Sequence, residues 1–62
     1  MHFIHFMFKL DIATIVVIED HRIKGVLYHG YIGKMKLDFY DQIKNFKVLK
    51  YEITEDYTLI II

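Results

Sequence analysis

Apolar residues run along this chain in short, often β-branched stretches separated by polar breaks. The densest stretch is Ile12 to His29, IATIVVIEDHRIKGVLYH. Ile15, Val16, Val17 and Ile18 are stiff at χ1 and suit a pleated surface. Glu19-Asp20-His21-Arg22 interrupts the run, and Ile23 to His29 resumes it around Lys24 and Gly25. Two apolar runs about a short polar break predict a β-hairpin.

Before the hairpin, Phe6, Phe8, Leu10 and Ile12 alternate with polar or thinner positions. A period of two predicts a strand with one buried face. If Ile15 and Val17 continue the core face, the parity changes near Ala13-Thr14, where a bulge would bend the strand; the alternative is a run buried on both faces, which needs no bulge. Gly30 and Gly33 frame a second turn, after which Met35, Leu37 and Phe39 alternate as a third strand. From Asp38 to Phe46 the pattern divides. Phe39, Ile43 and Phe46 have helical spacing with Asp38 as a possible N-cap, while the competing reading ends a strand at Tyr40 and leaves a loop. Leu49, Tyr51 and Ile53 predict a fourth strand, Thr54-Glu55-Asp56 a turn, and Tyr57 to Ile62 a fifth strand.

An uncovered Leu59-Ile60-Ile61-Ile62 edge would promote aggregation, so this strand is expected to be paired on both sides, within a barrel or against another subunit. No proline interrupts any strand. The expected fold is all-β or β-rich α+β. It would be a small five-stranded antiparallel barrel or curled sheet with at most one short helix near 38–46. The alternative packs that helix on one sheet face.

Length sharpens this picture. With 62 residues the chain is a single domain. Such a chain buries only roughly 60% of its unfolded surface. Small folds usually add disulfides, a metal or a partner, and there is no cysteine to supply the first. Yet 55% of the residues are hydrophobic and 16% aromatic. That surplus predicts a homo-oligomer joined through edge strands, with Leu59, Ile60, Ile61 and Ile62 as contact residues.

Charge narrows the function classes. The formal net charge is zero, which does not indicate a generally basic nucleic-acid binder. The charges are nonetheless unevenly placed. Arg22, Lys24, Lys34 and Lys36 lie in a stretch without acids, whereas Asp38, Asp41, Glu52, Glu55 and Asp56 outnumber Lys44, Lys47 and Lys50 beyond it. MHFIHFMFKL lacks the basic start and small-residue cleavage site of a signal peptide, and no stretch approaches the ~20 apolar residues of a membrane span. A soluble cytoplasmic chain, without membrane partners, is the expectation.

Catalytic chemistry finds little support. Four histidines are present, but His2 and His5 would point to opposite faces of a strand, and no HExxH motif occurs. The carboxylates cluster at predicted turns, where turn chemistry accounts for them. There is no serine or cysteine for a nucleophile, and GYIG is not a phosphate loop. Neither an enzyme nor a bound metal or cofactor is expected.

The basic, aromatic middle is the better candidate. Arg22, Lys24, Tyr28, His29, Tyr31, Lys34 and Lys36 combine cations with stacking surfaces, as small β-barrels do when they hold single-stranded RNA. VVIEDHRIKGVLYHGYIGKMKLDFYD resembles the first motif of Sm-like proteins, with Gly25-Val26-Leu27 and Met35-Lys36-Leu37 in the places of its Gly-x-Leu and Met/Asn-Leu strands. ITEDYTLII, Ile53 to Ile61, is similar to the second motif in length and apolar spacing. Lys36, Tyr31 and Thr54-Glu55 stand where that family carries Asn, Asp and Arg-Gly. The resemblance implies a strongly bent five-stranded barrel, a ring built through edge strands, and uridine-rich or adenine-rich RNA as ligand. Two function classes follow. One is a non-catalytic module acting through protein contacts as a regulator or inhibitor of a larger partner. The other is an Sm-like RNA binder using residues 22–36.

Overall fold

The hairpin expected at the centre of the sequence forms, with its turn at His21–Lys24, two residues later than the polar break Glu19–Arg22. In the computed structural model, which describes residues 1–62, β1 (Ile15–Asp20) and β2 (Gly25–Tyr31) pair antiparallel across a four-residue turn. Lys24 in that turn has a φ of 52°, and its N–H donates to the Asp20 carbonyl at 2.8 Å. The register slips between Ile18 and Glu19, which face Tyr28 and Val26 and leave Leu27 unmatched. The irregularity therefore lies in β2, not at Ala13-Thr14. There the chain turns instead, with the Asp11 carboxylate accepting the Ala13 N–H.

Two segments expected to be strands are helical. The N-terminal segment forms α1 (Phe3–Met7), because Phe3, Phe6, Met7 and Leu10 carry the i, i+3, i+4, i+7 stripe that competes with the alternation of Phe6, Phe8 and Leu10. Phe3 and Phe6 are buried and Phe8 is 79% exposed, which is the outcome of a helix and not of a strand. After β2 comes a short 3-10 turn, Ile32–Lys34, and then α2 (Leu37–Ile43). The third expected strand is absent. Phe39, Tyr40 and Ile43 face the core, Leu37 faces water, and Asp38 sits in the first turn, where a negative charge is favourable. The helical reading of 38–46 thus prevails over the loop as far as Ile43, starting one residue earlier, and Lys44 to Phe46 follow as a turn.

The last two strands are β3 (Lys50–Ile53) and β4 (Thr58–Ile61), joined by the polar turn. The Thr54 hydroxyl and the Tyr57 backbone close that turn with reciprocal hydrogen bonds. The four strands form one mixed sheet in the order β2-β1-β4-β3. β4 is antiparallel to β3 but parallel to β1. The fold is therefore β-rich α+β with an open four-stranded sheet and two short helices, in place of a five-stranded antiparallel barrel. With α2 in place of the third expected strand, only four strands remain, and a parallel β1–β4 pair uses the intervening chain as its crossover.

The core lies on one side of this sheet. Val16, Ile18 and Ile60 point into it from the strands, and Phe3, Phe6, Ile32, Ile43 and Ile62 complete it. Phe3, Val16, Ile18 and Ile60 are fully buried. The N-terminus is held down by main-chain bonds from Phe3 to Phe46, Ile4 to Lys44 and Val48 to Met1.

Candidate interaction surfaces

Strand parity decides what the other face of the sheet carries. Val16, Ile18 and Ile60 are in the core, so Ile15, Val17, Leu59 and Ile61 point away from it. Val17 lies beside Leu59 and opposite His29, Ile15 is opposite Tyr31, and Glu52 is opposite Leu59. No helix crosses this face. The result is an apolar strip of Ile15, Val17, Leu59 and Ile61, each half-buried, rimmed by Glu19, His29, Tyr31, Lys50 and Glu52.

The four C-terminal residues expected at a contact divide along the same parity. Ile60 and Ile62 are sealed inside the chain's own core. Leu59 and Ile61 stay on the uncovered face. β4 is paired on both sides, by β1 and β3, within one molecule. The strand expected to need a neighbour is interior, and the sheet's edges are β2 and β3.

The basic segment is not gathered into one patch. Arg22 and Lys24 sit in the turn before β2, while Lys34 and Lys36 follow its far end, roughly 20 Å away at the rise of an extended strand. Tyr28 lies on the core side, stacked on Phe39 with ring centres 5.7 Å apart. His29 and Tyr31 lie on the uncovered face. Only Tyr31 and Lys34 meet, with the ammonium 5.8 Å from the ring centre. Met35-Lys36-Leu37 is the approach to α2 and not a strand.

Arg22 is already committed. Its Nε and a terminal nitrogen donate to the two carboxylate oxygens of Asp20, at 3.1 and 2.7 Å, and its backbone N–H donates to Oδ1 at 2.8 Å. The guanidinium beside Asp20, followed by that N–H, lowers the carboxyl pKa to about 2. The same pairing raises the Arg22 pKa. Asp20 is buried whereas Arg22 is largely exposed, so the arginine lids the carboxylate and lies 5.5 Å over the Phe46 ring. The His21 backbone N–H donates to the Ile62 carbonyl at 2.8 Å, and Nδ1 of its ring lies 2.8 Å from the same oxygen. These groups fix the end of β4 and border a shallow cavity of about 230 Å³ floored by Phe46, Leu49 and Ile62.

His2 and His5 do converge, contrary to the strand-based expectation, because the segment is helical. Their rings meet edge to face at 6.0 Å. No group of three His, Cys, Asp or Glu side chains with metal-holding geometry is present. No helix is long and apolar enough to cross a membrane.

No protein-family model, curated protein or solved structure matches the chain.

Proposed function

We propose that this chain is a small non-catalytic binding module that acts through protein contacts, assembling with copies of itself and engaging a larger partner as a regulator or inhibitor. The observation that carries this reading is the uncovered sheet face. A chain of 62 residues places Ile15, Val17, Leu59 and Ile61 side by side on a surface that none of its own elements covers. Contiguous apolar patches rimmed by polar groups mark contact sites. The absence of serine and cysteine accords with a binding role, because it removes the usual nucleophiles.

The test is the mass in solution as a function of concentration, for the natural chain and for Val17→Lys. Species heavier than 7.5 kDa at micromolar concentrations support the reading, and a loss of size or affinity in Val17→Lys would put the contact between copies on the uncovered face itself. A 7.5 kDa monomer at every concentration overturns it.

A second reading, RNA binding of the Sm-like kind, draws on one contact. Tyr31 and Lys34 pair a ring with a cation on the face that also carries His29. Stacking with an adjacent cation is how single strands are held without base readout. Titration with poly-uridine and poly-adenine at several salt concentrations tests it. No binding at low salt removes it.

A further inference from the structure

The sheet has two edges, and the chain treats them differently. Along β2, main-chain bonds to β1 run through the Thr14–Ile32 pair, so antiparallel alternation turns the polar groups of His29 and Tyr31 outward. This edge is blunted. The Tyr28 hydroxyl donates to the Tyr31 carbonyl at 2.6 Å, and the unmatched Leu27 distorts the strand. Bulges and occupied acceptors are devices that keep an edge from pairing.

From Tyr51 to Ile53 β3 has neither device; its one irregularity is at its start, where the Leu49 N–H donates to the carbonyl of Ile61, the residue Lys50 faces. Thr54 bonds Tyr57 across the turn, so the inward-bonding residues of β3 are Lys50 and Glu52, and Tyr51 and Ile53 turn their N–H and C=O groups outward. All four residues of the strand are exposed, and Tyr51 and Ile53 are more than half exposed. Lys50 and Glu52 have no ion-pair partner in their own chain, whose salt bridges are Arg22–Asp20 and Lys44–Asp41.

We propose that β3 pairs antiparallel with β3 of a second copy about a two-fold axis at Tyr51, placing each Lys50 opposite the other copy's Glu52. The proposal rests on the self-association reading above and names the edge that performs it. Register follows from two constraints. Directly opposed residues in an antiparallel pair must both turn outward or both inward, so the axis passes through a residue and not between two. An axis at Lys50 or Glu52 sets like charges face to face, which is unfavourable. An axis at Ile53 opposes Glu52 to Thr54 and sets Lys50 against Asp56, which lies in the turn beyond the end of the strand. The axis at Tyr51 makes two Lys–Glu pairs in the non-hydrogen-bonded sites, where side chains are closest, and two main-chain bonds between the tyrosines. The two sheets become one continuous sheet, and both uncovered faces lie on the same side of it.

Sedimentation equilibrium tests this on the full chain. The natural sequence is expected to form a species of twice the 7.5 kDa chain mass. Lys50→Glu and Glu52→Lys should each weaken that dimer roughly tenfold or more, because each replaces two attractive pairs by repulsive ones. The double variant Lys50→Glu/Glu52→Lys should restore it to within roughly threefold of the natural affinity. The rescue separates lost pairing from lost folding. If the natural chain associates but neither single variant weakens it, or the double variant does not recover, the β3 pairing is wrong while self-association stands. A monomeric natural chain overturns both.

Discussion

Adjacent isoleucines in β4 should respond to the same small deletion to very different extents. Ile60 has no exposed surface and lies between Ile18 and Tyr51 in register, whereas Ile61 lies on the uncovered face. Ile60→Val removes one buried methylene, worth about 0.8 kcal/mol in transfer, and the unfilled space raises the loss to about 1 kcal/mol. For a chain this short that lowers the melting temperature by about 4–8 °C. Ile61→Val removes a methylene already touched by water, and the loss should stay within about 0.5 kcal/mol. Ile60→Ala should cost about 3 kcal/mol or more, against a total stability of roughly 3–9 kcal/mol for a chain of this length. Urea and thermal unfolding followed by circular dichroism in dilute solution measure all three. If Ile61→Val costs as much as Ile60→Val, the parity of β4 is reversed and the apolar strip on the uncovered face does not exist.

Asp20→Asn should flatten the acid limb of the stability profile. The folded carboxyl titrates near 2, below the ordinary ~3.9, so its contribution is complete above about pH 4 and disappears as the pH falls through 2. Parallel profiles for the two proteins over that window would exclude the Arg22 pairing. Lys24→Gly should stabilise by about 0.5–1 kcal/mol in urea titrations, because the left-handed φ of 52° strains any side chain. A loss of stability would contradict that turn geometry. If the chain binds poly-uridine, Tyr31→Ala should weaken binding at every salt concentration, whereas Lys34→Ala should lower the salt slope by about one unit. Unchanged titrations would detach these residues from any RNA contact.

The hairpin, the polar turn at Thr54–Asp56 and the strand before the C-terminus were legible because each couples a β-branched or alternating run to a turn of matching chemistry. α1 was not, because MHFIHFMFKL satisfies two periods at once. Only burial of Phe3 and Phe6 against Val16 and Ile18 decides between them, and that is a long-range fact. Leu37 misled in the same way, completing an alternation with Met35 and Phe39 although it is 76% exposed on α2. The interior place of β4 was half legible. Leu59–Ile62 demanded partners on both sides, but no local pattern shows that β1 would supply one of them in parallel. The candidate site shifted accordingly, from the whole LIII run to its outward members and to β3, whose alternating Lys50 and Glu52 read locally as no more than a solvated face.

Amide hydrogen exchange at two protein concentrations examines the account most directly, since it reads the interior strand and the open edge at once. At low concentration the Thr58, Leu59, Ile60 and Ile61 amides should be protected and the Tyr51 amide should exchange rapidly. At high concentration Tyr51 should become protected, and β4 should change little. Rapid exchange along β4, or a Tyr51 amide indifferent to concentration while the mass doubles, would contradict an open sheet that joins its copies through β3.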